Sequence, residues 1–284
     1  MNSAWGGAGS ASLILISTSD MQSGRQAHLD RMVASVRVFA EANADISVKL
    51  VLLLQRCDDE KLQAAKAAFP EWVSIVATSE RMSLSKARNL LLSEIGAMGE
   101  ADVVCFPDDD CWYPQATLEA IWKAFATNRA LDFWFCRYSS DPTSAADVAS
   151  HRPSLQETIS RASSNTIVVR GRVANAIGGF DEGLGVGARL TGGEDTDYAI
   201  RAFYAAKDRL FVDAAAVGHR DPDIRFRATY YQGSLKAITR YSLKSFAAFT
   251  AACRKFAVGG WYVLSGHMPL RSYLGAIRAV VQTG

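Results

Sequence analysis

Asp102-Val103-Val104-Cys105-Phe106-Pro107-Asp108-Asp109-Asp110 decides how the rest of the chain is read. An apolar run of four residues stops at a proline and empties into three adjacent carboxylates. The run reads as a strand buried on both faces, and the proline and aspartates as the loop at its carboxyl end. Working backwards, 83–95 is expected to be a helix with Leu84, Ala87, Leu91 and Ile95 on one face. Residues 73–77, 48–54 and 13–16 are three more short apolar strands. Helices are expected between them at 60–69 and across Leu29, Met32, Val33, Val36, Phe39 and Ala40. Forwards, Pro114 is expected to open a helix whose buried side is Leu118, Ile121, Trp122 and Phe125.

Strands and helices alternate, so the fold class is α/β, with a mostly parallel central sheet flanked by helices. Ligands of such sheets sit beyond the carboxyl ends of the strands. The loops there are 17–20, 55–59, 78–82 and 108–111, all polar. The second half is less regular. Residues 139–163 are expected to be irregular, 166–169 and 210–217 to be strands, and 183–193 to be a Gly-rich mobile loop. Residues 195–206 are expected to form a helix.

Composition removes several classes. Of 284 residues, 49% are hydrophobic and 21% charged, which fits a globular chain rather than a disordered one. The first 11 residues read as a disordered lead-in rather than a signal peptide. Five cysteines without a C-x-x-C pair suggest a reducing compartment. The net charge of +2 hides an asymmetry. Residues 224–284 hold nine basic and no acidic residues, leaving 22 basic against 29 acidic before them. Ten of the 28 aromatics also fall in this tail.

Three adjacent carboxylates repel one another, and a divalent cation removes the conflict. Mg²⁺ and Mn²⁺ favour such oxygen ligands. The plain alternative is that Asp108–Asp110 sit at the favourable N-terminus of the Pro114 helix. Glu194-Asp195-Thr196-Asp197 follows Gly192-Gly193 and opens a helix. It is either capping or a second acidic site able to act as general base on a hydroxyl. His219, at the end of the last strand, could complete a metal shell with Asp110, and Arg220, Arg225 and Arg227 beyond it suit phosphate.

In this order the motifs resemble the GT-A glycosyltransferases of family 2. Ser85-Lys86-Ala87-Arg88-Asn89 and then Asp108-Asp109-Asp110 are similar to that family's S-x-A-R-N helix and D-x-D motif. Gly178-Gly179-Phe180-Asp181-Glu182, then Gly193-Glu194-Asp195-Thr196-Asp197 and Arg201, are similar to its acceptor-side pattern. Gly218-His219 matches the His that such enzymes place near the metal. The resemblance covers about residues 12–219.

It implies a GT-A fold over 12–223, divided into a nucleotide-binding half (12–111) and an acceptor-binding half (112–223), with 224–284 as a helical basic and aromatic extension. It implies inverting transfer of one sugar from a nucleotide-diphosphate sugar, a UDP-sugar first, to an acceptor hydroxyl. Lipid-linked or polysaccharide acceptors of bacterial surface glycan synthesis are expected. Thr18, Ser19, Asp58, Arg88, Asp108, Asp109 and Arg220 would bind the donor. Asp110, Asp108 and His219 would hold Mg²⁺ or Mn²⁺. Asp195 would be the base, with Glu194 beside it. The Q-x-x-R-W motif of processive relatives is missing.

Three rivals remain: a phosphatase of the haloacid-dehalogenase type, a nucleotidyltransferase acting on the same substrates, and a catalytically silent scaffold on this fold. The phosphatase would carry its Asp-x-Asp after the first strand, and the nucleotidyltransferase a Gly-rich basic loop there. A cytoplasmic location is expected, peripheral at the inner membrane face if the tail meets anionic lipid. No nucleic-acid partner is expected.

Overall fold

A computed structural model describes residues 11–281 apart from 115, 146–147 and 222–227. Two features of the sequence reading lie outside these residues: the first ten residues of the lead-in, and the boundary at 223/224 with Arg225 and Arg227. The elements run β1 (Ser12–Asp20), α1 (Gln26–Ala42), β2 (Ser47–Gln55), α2 (Asp59–Ala68), β3 (Val73–Thr78), α3 (Leu84–Ile95), β4 (Val103–Cys105) and α4 (Thr117–Thr127). There follow β5 (Leu131–Ser139), β6 (Ser150–His151), α5 (Leu155–Arg161), β7 (Val168–Arg170), α6 (Gly171–Ile177), α7 (Glu194–Ala205) and β8 (Asp208–Gly218). The chain continues through α8 (Tyr231–Thr239), α9 (Phe246–Leu264) and α10 (Leu270–Val281).

The strands form one eight-stranded sheet in the order β3-β2-β1-β4-β7-β5-β8-β6. β1, β2, β3 and β4 pair in parallel, as do β5 and β8. β7 runs antiparallel between β4 and β5, and β6 is an antiparallel edge. The expected mostly parallel α/β sheet is present.

Successive side chains on a strand point to opposite faces, so an unbroken apolar run serves two layers at once. Leu13, Leu15, Leu50, Leu52, Leu54 and Cys105 pack with α1 and α4 through Leu29, Met32, Val36, Leu118 and Ile121. Ile14, Ile16, Val51, Leu53, Val104 and Phe106 pack on the other face with Ala87, Leu91 and Ile95 of α3 and Tyr198 of α7. Chain order reverses between β1 and β4. A crevice opens at such a switch point, at the carboxyl ends of the strands.

Two expectations are corrected, and two elements are added. The helix after Pro114 begins at Thr117. Ala116 adopts a left-handed φ of 72°, and the Thr117 amide donates to the Pro114 carbonyl, so a turn precedes the helix. The stretch 139–163 is not uniformly irregular. It contains β6, and α5 opened by a Ser154–Glu157 capping box. Two elements stand beyond those expected, β5 and α6. β5 carries Phe133, Trp134, Phe135 and Cys136 in the core, with buried Asp132 accepting from the Lys207 amide and paired to Arg172.

The C-terminal helices are not a loose appendage. Arg240, just past α8, pairs with Asp181 and with Asp197, 2.8 Å away, and the Tyr241 hydroxyl donates to Asp197 at 2.9 Å. Gly233 of α8 rests on the loop that leads into α7. A Cβ there would lie 1.9 Å from the Gly192 carbonyl oxygen, a backbone atom with no side chain to swing aside. Gly233→Ala is therefore expected to cost about 3 kcal/mol or more, at or above the upper end of ordinary overpacking. A drop in thermal midpoint measured beside wild type checks this; an unchanged midpoint would contradict the packing.

Candidate active site

Motifs far apart in sequence are locked together before any ligand is considered. Asn89 of α3 donates to the Phe180 carbonyl at 2.9 Å and accepts from the Phe180 amide at 2.7 Å. The Ser85 hydroxyl donates to the Leu184 carbonyl at 2.7 Å. The Phe180 ring stacks on Tyr198 at 4.4 Å and meets Phe106 edge-on at 5.1 Å. The S-x-A-R-N helix, the G-G-F-D turn, the strand before the aspartates and α7 thus share one core.

Arg88 emerges from this core almost wholly buried, at 1% exposure. Its Nη2 donates to Asp108 Oδ1 at 2.8 Å, and its Nη1 lies 3.7 Å from Asp195 Oδ1. Nη1 and Nε have no hydrogen-bond partner although buried. Buried donors left unpaired are costly, and Nη1 is aimed toward Asp195 beyond hydrogen-bond reach.

The three aspartates take separate partners. Asp109 accepts from the Ser19 hydroxyl at 2.7 Å and from Arg25 at 2.9 Å, which ties the loop after β4 to β1. Asp110 Oδ1 lies 3.0 Å from His219 Nε2, and Asp108 Oδ2 lies 3.8 Å from the same nitrogen. Arg220 is 3.5 Å from Asp110. None of the three caps α4, so the capping alternative falls. One donor atom from each of Asp108, Asp110 and His219 falls within 4.8 Å of the others. Asp110 Oδ1 is buried and faces His219 Nε2. Two carboxylates and one imidazole converging in this way fit a divalent cation.

Burial works to raise the Asp110 carboxyl. His219, Arg220 and Arg25 outweigh it and hold the group down at about 2. For His219, burial favours the neutral ring, but contact with Asp110 and the charge of Asp108 raise its proton affinity. Asp108 is raised chiefly by burial, against the opposing pull of Arg88.

Across the crevice, Asp195 and Glu194 start α7 and differ sharply. Asp195 borders a cavity of about 610 Å³ lined also by Asp108, His219, Tyr138, Ser163 and Tyr230. Its Oδ2 accepts from the Ser163 hydroxyl at 3.2 Å, and its Oδ1 has no hydrogen-bond partner. Glu194 is only 6% exposed. Burial first, then the neighbouring Asp195 charge, push it up to about 8. A folded-state value above the unfolded 4.5 means that the fold holds a proton the unfolded chain has released. In metal-free protein this contribution to stability is full below about 4.5 and is lost as pH rises through about 8. Glu194→Gln is expected to flatten that part of the profile. Denaturant midpoints at several pH values check it, and an unchanged slope would refute the assignment.

Not every expected residue joins the cluster. Thr18 donates to the Leu53 carbonyl and accepts from Gln55, whose own oxygen accepts from the Met82 amide. Asp58 caps α2, accepting from the Lys61 amide and pairing with the Lys61 amine at 2.6 Å. Its carboxylate is 58% exposed, and in the ligand-free chain its partners belong to α2. Three residues join that the sequence reading did not name for the site. Arg25 grips Asp109, Ser163 holds Asp195, and Tyr138 stands 5.1 Å from the His219 ring. Tyr138 could have been found from the Phe-Trp-Phe run of β5, whose carboxyl end it occupies.

Solved structures share this architecture. TarS of S. aureus, residues 1–349 in complex with UDP, is 17% identical, with a TM-score of 0.59 over 82% of this chain and 66% of that one. The mannosyltransferase PcManGT of Pyrobaculum calidifontis, in complex with GDP-Man and Mn²⁺, is 13% identical, with a TM-score of 0.60 over 96% and 75%. GalNAc-T7 with UDP, GalNAc and Mn²⁺ is 14% identical, with a TM-score of 0.54 over 81% and 48%. The chain thus spans less than two thirds of the TarS and GalNAc-T7 chains. At these identities the likeness concerns the fold. No curated protein matches the chain. Residues 31–180, more than half of the chain, match the sequence pattern of glycosyl transferase family 2, from α1 to the G-G-F turn. The chain belongs to glycosyl transferase family 2.

Proposed function

We propose that this protein is an inverting, non-processive glycosyltransferase that moves one sugar from a nucleotide-diphosphate sugar to an acceptor hydroxyl. The observation that carries the reading is the presence of two acidic sites on one cavity. Asp108 and His219 of the converging trio line it, Asp195 lines it too, and Arg88 bridges Asp108 and Asp195. Inversion needs two such sites, one for the departing diphosphate and one for the acceptor oxygen, which attacks the anomeric carbon on the far face.

The Asp195 carboxylate, on the cavity wall, takes the proton from the acceptor hydroxyl as the new glycosidic bond forms and the bond from the anomeric carbon to the diphosphate breaks. Arg88 and Arg220 bind phosphate oxygens, and Ser163 holds the Asp195 carboxylate in one orientation. Mg²⁺ or Mn²⁺ bound at Asp108, Asp110 and His219 would offset the charge on the leaving diphosphate. A UDP-sugar is the first donor to try. The acceptor is a lipid-linked or polysaccharide hydroxyl of a bacterial surface glycan, and the donor places the reaction in the cytoplasm.

Release of nucleoside diphosphate from a panel of UDP-, GDP- and dTDP-sugars, with and without EDTA, tests the reading. Metal-dependent release from at least one donor is expected. Release of pyrophosphate from sugar 1-phosphate and nucleoside triphosphate, with no transfer from any donor, would make the chain a nucleotidyltransferase instead. Silence with every donor and metal would leave a scaffold.

A further inference from the structure

Helix α9 carries the wrong residues for a helix that faces water. At about 100° per residue, Phe246, Phe249, Cys253, Ala257, Trp261 and Leu264 fall on one side, and all six are exposed. Ala248, Ala251, Ala252 and Gly259 lie buried on the opposite side. Phe246 is 82% exposed and Leu264 90%. The outward side of a surface helix ordinarily carries charge. Here none interrupts the stripe, and Arg254 only borders it. The surface continues at both ends of α9. Leu243 and Lys244 precede it, and Leu270 and Leu274 of α10 are exposed beside Arg271 and Arg278.

We propose that the outer faces of α9 and α10 dock on an anionic lipid surface. Charge selects this occupant. Lys244, Arg254, Arg271 and Arg278 are the exposed basic residues of these helices and the turn before them, and the stretch 224–284 has no acidic one, so anionic headgroups meet attraction from this segment. A second copy of the same face would bring like charges together. No helix among the described residues is long and apolar enough to cross a membrane. α9, about 28 Å long, therefore lies in the interface plane, its apolar stripe toward the acyl chains and its flanking basic residues at headgroup level.

The docking face is coupled to the site by packing. Tyr231 and Leu235 of α8 are buried against Phe256, Tyr262 and Tyr273 of α9 and α10. Tyr230 and Ser234, at the start of the same helix, line the cavity that holds Asp195. The lipid contact thus fixes how the cavity is presented to the membrane. The inference stands apart from sugar transfer, because lipid binding is read without donor or acceptor.

Flotation of the full chain with phosphatidylcholine vesicles, with and without phosphatidylglycerol, tests it. Recovery with the anionic vesicles and little with the neutral ones is expected, falling as salt rises. Phe246→Ser with Leu264→Ser, and separately Arg271→Glu with Arg278→Glu, should each lower recovery about tenfold or more at unchanged thermal midpoint. These positions are exposed, so the variants should fold. Protein left at the bottom of both gradients overturns the proposal, as does vesicle binding indifferent to both double variants. Sedimentation showing a dimer that the same variants dissociate, without vesicle binding, would assign the face to self-association.

Discussion

Asp110→Ala is expected to lower metal-dependent sugar transfer by about three decades or more while the chain stays folded. Metal stabilisation of a leaving phosphate is worth several kcal/mol, and ~1.4 kcal/mol is a factor of about ten in rate. Asp110 brings the most to that site. It is 6% exposed, its Oδ1 faces His219 Nε2 at 3.0 Å, and cationic neighbours hold its carboxyl at about 2. It is therefore ionised throughout the neutral range before any metal arrives. Alanine removes that ligand and leaves His219, Arg25 and Arg220 facing one another without their shared anion.

Two readouts separate this from a general loss of structure. Mn²⁺ titration followed by electron paramagnetic resonance should show binding lost in Asp110→Ala and weakened in His219→Ala. EDTA should abolish wild-type activity but change the residual activity of Asp110→Ala very little, because the two perturbations remove one interaction. The metal must also displace a proton from His219, whose proton affinity Asp110 and Asp108 raise. Metal affinity should therefore climb with pH through the histidine's titration. Wild-type activity in Asp110→Ala would overturn the metal site.

Much of the fold was legible because one property recurred. Strands covered on both faces need no polar positions, so 50–54 and 103–106 stand out as unbroken apolar runs. β5 escaped although its run is just as apolar. It is entered from the turn at Asn128 and runs on into Arg137 and Tyr138, so no proline or glycine marks its limits. The short elements α5 and α6 were hidden for another reason. Seven residues are too few for a helical period to show, and tertiary contacts hold them in place: the Asn175 side chain exchanges hydrogen bonds with the Met98 backbone.

Within the site, legibility followed chain distance. Asp108–Asp110 and Glu194–Asp195 were visible because like charges crowd together locally, which is unfavourable unless something uses it. What each aspartate does depended on partners elsewhere, such as Ser19 for Asp109 and His219 for Asp110. Asp58 was ambiguous for the complementary reason. An acidic residue after a strand suits a nucleoside pocket and a helix cap equally well in sequence, and the structure adds the cap.

Asp195→Asn should lower the transfer rate by about two to four decades, the usual range for loss of a general base. The amide is nearly isosteric and can keep the 3.2 Å contact with Ser163, but it cannot take a proton. Metal binding should survive, since Asp195 is not among the converging ligands, and donor KM should move far less than kcat. Glu194→Gln provides the contrast. Glu194 lies under the loop at Gly185, where an added Cβ would sit 3.1 Å from its carboxyl carbon, and burial keeps it protonated up to about 8. A carboxylic acid at neutral pH is no base, so this variant should alter stability and its pH profile more than kcat. If Glu194→Gln were the dead enzyme and Asp195→Asn nearly wild type, the two roles would exchange. The proton would then have to reach a buried group, past an open carboxylate already at the cavity wall.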